Sequence, residues 1–241
     1  MIKKLLNKII SRYKFVRGDI NLNNRTGMLH RSWGHIFSNH IMGDYVEFGV
    51  YKGASLAESV YQYRQFYNWL ILQKKSDEQW RQEVSKKSEL NEKVFFHGLD
   101  TFDGMPENNE QNFIFKKDTF KSNYNEVKKR FKNFDEKILL YKGLFSDNKE
   151  AFVRNMDNRK ISIANIDCDL YQSTMDAFNM IENFLQIGSI VLLDDYNSFN
   201  ADNNKGQRKA LIEYKSQTSF IFEPFFSYMF TGQAFLIVQK K

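Results

Sequence analysis

The sequence predicts an α/β protein: a mostly parallel, seven-stranded sheet with helices on both faces and an antiparallel hairpin at its edge. Three observations carry that reading. Short apolar runs of strand type alternate with longer helical patterns, as βαβ crossovers require. No helical pattern separates the last two runs, so they should close as a hairpin. No internal repeat or clean linker divides the 241 residues, so one domain is expected over residues 1–241.

The elements follow in order. About 40 residues precede the first strand and read as an N-terminal helical segment, opening with the basic amphipathic stretch MIKKLLNKIISRYKF. Its apolar run is broken by Asn7 and Lys8, so a packing helix is expected rather than a signal peptide, with loose attachment to an anionic membrane surface as the alternative. Strands are expected at 45–50, 94–100, 137–141, 161–166, 189–193, 221–225 and 234–238. Helices are expected at 55–72, 122–134, 147–156, 173–185 and 207–217. Residues 73–92 are strongly polar with helical propensity and read as an exposed insertion. Residues 104–121 form a long loop after the second strand, of the kind that serves as a lid, here together with the segment around Trp33.

Composition narrows the function. Forty-two per cent hydrophobic and 27 per cent charged residues are the balance of a folded chain. The single cysteine, Cys168, leaves no intrachain disulfide and no Cys-based zinc site, which suits a reducing, cytoplasmic setting. A net charge of +6 with scattered lysines does not make the clustered stripe of a nucleic-acid reader. No stretch approaches the roughly 20 apolar residues of a membrane span. His30, His35 and His40 recur every five residues, a spacing that does not share a helical face, so no histidine metal site is expected.

In an open parallel sheet, ligands bind beyond the carboxyl ends of the strands. The first strand runs into Glu47-Phe48-Gly49-Val50-Tyr51-Lys52-Gly53-Ala54-Ser55. Two glycines four apart allow a tight turn, but the spacing is neither a dinucleotide fingerprint nor a P-loop. The second strand ends at Asp100-Thr101-Phe102-Asp103-Gly104, where a carboxylate can hold a ribose diol or cap a turn. The fourth and fifth expected strands end in Asp167-Cys168-Asp169 and Asp194-Asp195. Either acidic pair alone reads as a turn or a helix cap. If the two strands are neighbours, four carboxylates converge and need a cation to ionise together, and all-oxygen ligands suit Mg²⁺ before Ca²⁺ or Mn²⁺. Trp33, Tyr51 and Phe102 are candidates to line a cofactor or sugar pocket.

VEFGVYKGAS, GLDTFDGMPE, IDCDLYQST and LLDDY, in that order, resemble the macrocin O-methyltransferase family, over roughly residues 26–238. The first motif is generic to class I methyltransferases, whereas the paired acidic motifs are far more specific. The resemblance implies a Rossmann-like class I methyltransferase fold and methyl transfer from S-adenosylmethionine to a sugar hydroxyl, of a natural product or a surface polysaccharide, aided by Mg²⁺ or another divalent cation. It implies that Glu47, Gly49, Val50, Tyr51, Gly53 and Ser55 approach the methionine part of the cofactor. Asp100 would hold the ribose, and Thr101 and Phe102 would border the adenosine. Asp167, Asp194 and Asp195 would hold the metal, with Asp169 as general base. A small-molecule or glycan acceptor and a homo-oligomer are expected. A glycosyltransferase using the D-C-D triplet would leave the D-D-Y motif and glycine turn without a role. A phosphatase of the haloacid dehalogenase type would normally open its domain with that triplet. A non-catalytic nucleoside-binding module accounts for Asp100 but not for four clustered carboxylates.

Overall fold

A computed structural model describes residues 21–88, 94–110, 112 and 114–241. The expected N-terminal amphipathic stretch lies outside the described residues. The first described helix, α1 (Arg25–Ser38), is opened by Asn24, whose side chain accepts the Gly27 N–H. Strand β1 (Asp44–Phe48) and helix α2 (Ala54–Gln73) follow, then α3 (Gln79–Ser88) inside the polar stretch. The chain continues through β2 (Phe95–Asp100), α4 (Tyr124–Phe131), β3 (Lys137–Lys142), α5 (Phe145–Met156), β4 (Ile161–Ile166) and α6 (Tyr171–Ile181). It ends with β5 (Ile190–Leu193), α7 (Gly206–Gln217), β6 (Phe220–Tyr228) and β7 (Gly232–Lys240).

The seven strands form one sheet in the order β3-β2-β1-β4-β5-β7-β6. The first five are parallel to one another, while β7 runs antiparallel to both β5 and β6. The mostly parallel sheet with its edge hairpin is therefore the architecture the alternation predicted. Because side chains alternate across a strand, each buried strand feeds two cores. Val46, Phe48, Ile166 and Leu193 pack with α5, α6 and α7 residues such as Phe152, Phe178 and Leu211. Tyr45, Phe96, Ile163 and Leu192 pack on the other face with Trp33, Val60 and Val127 of α1, α2 and α4.

Several boundaries differ from expectation, among them the helix expected at 122–134, which is confined to Tyr124–Phe131. β1 stops at Phe48, and Val50 belongs to the following turn, where Gly53 donates to the Val50 carbonyl at 2.7 Å. The helix expected to reach residue 185 tightens into a 3₁₀ turn at Glu182–Phe184, a common helix ending. The hairpin strands run past their expected limits at both ends, because the pairing continues through Phe220↔Lys240 and Tyr228↔Gly232 and buries Phe220, Phe226 and Tyr228 as well.

Reversal of strand order between β1 and β4 makes a crevice at the carboxyl edge. Register Phe48↔Ile166 and Ile166↔Leu193 brings the ends of β1, β4 and β5 level there.

Candidate active site

The glycine turn after β1 is shaped by close backbone approach. Gly49 has φ +93°, and a Cβ there would lie 1.7 Å from the Asp167 carbonyl oxygen, so no other residue fits. Gly53, at φ +74°, opens α2 beneath the Phe131 ring. Glu47 is fully buried below this turn. It accepts from the Tyr45 hydroxyl at 2.5 Å, the Ser55 hydroxyl at 2.7 Å and the Asn165 amide at 3.4 Å. Burial pushes its carboxyl up to about 7 against those hydrogen bonds.

Asp100 closes the turn from β2. Its two oxygens accept the backbone N–H groups of Tyr51 and Phe102, each at 2.6 Å. Both donors are left-handed, at φ +50° and +59°, a conformation that costs an ordinary residue about 1–3 kcal/mol. Burial holds the Asp100 carboxyl above its usual range despite these bonds. Thr101 donates to the Gly104 carbonyl at 2.7 Å and lines the cavity. Phe102 is buried, its ring set edge-on against Tyr124. Trp33 does not reach the cavity as the sequence suggested. It is fully buried, donates to the Ser59 hydroxyl at 3.0 Å and packs among Tyr45, Tyr63 and Phe96.

Asp167, Asp194 and Asp195 converge from the ends of β4 and β5, each with a carboxylate oxygen within 4.8 Å of the others. Asp169, left-handed at φ +61°, shares a hydrogen bond with Asp195. Burial, then repulsion from Asp194 and Asp195, pushes Asp167 well up. Burial, then Asp195, does the same to Asp169. Asp194 is pushed up to about 6 by burial and Asp195. Cys168, between the two strand-end carboxylates, sits beside the Thr174 hydroxyl, and burial raises its thiol well above the ordinary range.

Three contributors escaped the sequence reading. Arg25, the first residue of α1, places its guanidinium 3.6 Å from Asp167 and 3.8 Å from Asp194. Tyr228 of β6 buries a hydroxyl with no hydrogen-bond partner among the described residues, in the field of Asp194, Asp167 and Asp195. Glu110 reaches in from the loop after β2. Each lies far along the chain from the acidic motifs, and none stands in a recognisable local pattern.

Arg25 and Glu110, but not Tyr228, Asp194 or Asp195, border a cavity of about 800 Å³, whose walls also include Gly49–Lys52, Asp100, Thr101, Gly104–Asn109 and Asp167–Ser173. That volume lies within the roughly 300–1,000 Å³ usual for small-molecule sites.

No protein of curated function matches the sequence. Several solved structures share the fold. The O-methyltransferase NovP superposes with a TM-score of 0.64 at 18% identity, over 89% of this chain and 80% of its own. CalS11, a calicheamicin methyltransferase, gives 0.62 at 17% identity, over 93% and 84%. An O-methyltransferase from Bacillus cereus, solved with S-adenosylhomocysteine, gives 0.52 at 9%, over 88% and 80%. The model of the macrocin-O-methyltransferase (TylF) family matches residues 81–232, a span that takes in the Asp100 turn and both acidic pairs and amounts to well over half of the chain. The protein therefore belongs to the macrocin O-methyltransferase family and is an O-methyltransferase.

Proposed function

We propose that the chain moves the methyl group of S-adenosylmethionine to a sugar hydroxyl, with a divalent cation held by Asp167, Asp194 and Asp195 and with Asp169 as general base. The observation that carries this reading is the convergence of three carboxylates from two neighbouring strand ends, one of which, Asp167, lines together with Asp169 the cavity that Asp100 and the glycine turn also border. The donor set fits a hard cation: every offered atom is oxygen, and the unpartnered Tyr228 hydroxyl faces the same charges. Bound there, such a cation would lower the pKa of the acceptor hydroxyl, and the sulfonium would supply an electrophilic methyl. The Bacillus cereus relative binds S-adenosylhomocysteine, and CalS11 is described as a TDP-rhamnose 3′-O-methyltransferase, which supports a nucleoside cofactor and a sugar acceptor here.

The chain's own groups then divide the work. Asp100 accepts from the ribose hydroxyls through the lone pairs that Tyr51 and Phe102 leave free. The Gly49–Gly53 turn and Ser55 lie against the methionine part, with Glu47 bracing the turn from below. Thr101 and Phe102 form the edge of the adenosine site. Asp169 takes the proton from the acceptor hydroxyl, its basicity raised by burial and by Asp195. Arg25 neutralises part of the acidic charge, and its placement on α1 ties that helix to the site. Residues 104–121 close over the acceptor as a lid. No described helix is long and apolar enough to cross a membrane. A homo-oligomer, cytoplasmic residence and weak attachment to anionic surfaces belong to the same proposal.

Calorimetric titration with S-adenosylhomocysteine, followed by methyl-transfer assays on free, nucleotide-linked and lipid-linked sugars with Mg²⁺ or excess EDTA, tests the reading. Cofactor binding with cation-dependent transfer to a sugar is expected. Full activity in EDTA would remove the cation, and transfer to non-sugar hydroxyls alone would remove the acceptor class.

A further inference from the structure

The loop after β2 is built as a folded flap. Met105 and Asp118–Thr119 exchange backbone hydrogen bonds of 2.9 and 3.0 Å across it. Asn108 donates to the carbonyls of Pro106 and Phe115. Met105 and Phe115 bury themselves with Leu170, and Phe199 packs against them. From this flap Glu110 makes two bonds to distant parts of the chain. One carboxylate oxygen accepts the N–H of Tyr171, the first residue of α6, and the other accepts the N–H of Gly206, the first residue of α7, at 3.1 Å.

Helix first-turn N–H groups need an acceptor and favour an anion. Here neither Leu170 nor Lys205, the residues at the two N-caps, supplies a side-chain cap. Glu110 therefore does for two helices what each lacks locally. The helices are not arbitrary ones. α6 starts directly after the Asp167–Asp169 turn, and α7 starts after the segment that begins with Asp194 and Asp195. Next to Gly206, the buried Gln207 donates to the Ile166 carbonyl at 2.9 Å and accepts the Asp195 N–H at 3.0 Å. The start of α7 thus bridges the ends of β4 and β5, alongside the direct Asp194 N–H to Ile166 carbonyl bond of 3.3 Å.

We propose that Glu110 is a positioning residue, clipping the starts of α6 and α7 together so that closing the flap and aligning the two acidic turns become one event. The proposal rests on the O-methyltransferase reading for its effect on turnover, and on geometry alone for its effect on the flap. Without Glu110 the flap keeps its apolar anchors but loses its charged tie to both helices, and the acidic turns gain freedom to separate.

The test compares wild type with Glu110→Ala and Glu110→Gln, the latter keeping the side-chain volume and one acceptor oxygen. Hydrogen exchange should rise about tenfold in Glu110→Ala at 104–110, 171–174 and 206–209, with Glu110→Gln between it and wild type. The Kd for S-adenosylhomocysteine should stay within twofold, while kcat per cofactor-binding site falls tenfold or more in Glu110→Ala and partly recovers in Glu110→Gln. A residue that only supports the fold would lower the melting temperature without changing kcat per binding site. Unchanged exchange in those three segments, or wild-type kcat per site in Glu110→Ala, overturns the proposal. If Glu110→Ala does not fold, Glu110→Gln decides by the same two readouts. The exchange result is read without an acceptor, so a failed clip and a failed transfer reading are told apart.

Discussion

Replacing Asp100 separates a turn-holding role from a ligand-holding one. In the structure its oxygens each accept one backbone N–H at 2.6 Å, from Tyr51 and Phe102. In Asp100→Ala both donors lose their partner. Water can reach the exposed Tyr51 N–H, but the half-buried Phe102 N–H is orphaned, at about 1–3 kcal/mol. For a chain of this size that corresponds to a melting temperature lower by roughly 2–12 °C without ligand. Asp100→Asn keeps one acceptor and the volume, and it removes a charge that burial disfavours, so its apo stability should fall less. Cofactor binding should suffer in both variants, because the ribose hydroxyls lose a charged acceptor worth about 1.5–3 kcal/mol. That converts to roughly 10- to 150-fold weaker binding of S-adenosylhomocysteine. Calorimetry gives the affinity and differential scanning fluorimetry the apo stability. A lowered melting temperature with affinity within twofold of wild type would show that Asp100 only holds the turn, and the ribose assignment would fall.

Three further outcomes are expected. Asp194→Asn should raise the Mg²⁺ concentration for half-maximal rate, since a neutral amide is the weaker ligand for a hard cation; an unchanged Mg²⁺ dependence would argue against its place in the metal set. Asp169→Asn should lower kcat by the ~10²–10⁴-fold typical of a lost general base while leaving cofactor affinity intact, and if it lowers metal affinity while Asp167→Asn lowers kcat, the two roles are exchanged. At the opposite end of the sheet, the fully buried Asp44 accepts two 2.5 Å bonds from Arg159, one from the Phe95 N–H and one of 3.3 Å with His97. Asp44→Asn should cost about 3–5 kcal/mol near neutral pH, as breaking a buried pair does. These bonds hold the Asp44 carboxyl below its usual range against burial, so its stabilisation is present above the unfolded value near 3.8 and is lost as pH falls through the lower, folded one. Urea unfolding of both proteins at pH 7 and below pH 3.8 should show the gap narrowing, and a gap that widens in acid would refute the sign.

What the sequence made legible is what local pattern encodes. The fully buried β4 was expected at the residues where it is found, because a short run dominated by Ile161, Ile163, Ala164 and Ile166 and closed by Asp167 leaves little room for a shift. The Asp167/Asp169 and Asp194/Asp195 pairs could be read as neighbours only on the condition that β4 and β5 were adjacent, a condition the sheet order meets. Arg25, Tyr228 and Glu110 were not legible. Glu110 lies 61 residues from Tyr171 and 96 from Gly206, and nothing in the polar run around it distinguishes a helix-capping carboxylate from a solvated one. Trp33 was misplaced for a related reason: an aromatic residue on a helix gives no sign of which core or cavity its ring enters until the helix is docked.

The contact between Gly49 and the Asp167 carbonyl has a consequence for ligand order. The backbone after β1 and the backbone after β4 touch with no side chain between them; the Asp167 N–H ties them through the Phe48 carbonyl at 2.8 Å, while the Gly49 N–H ties the turn to β2 through the Leu99 carbonyl at 2.9 Å. No side chain lies at that contact to absorb a shift, so a displacement of the glycine turn should be felt at Asp167. Whatever seats itself against one turn thereby works on the other, and such linkage is reciprocal: the factor by which Mg²⁺ alters the affinity for S-adenosylhomocysteine must equal the factor by which S-adenosylhomocysteine alters the affinity for Mg²⁺. Titrating each in the presence of the other reads that factor, and a value of one would mean that the two backbones, though touching, move apart freely.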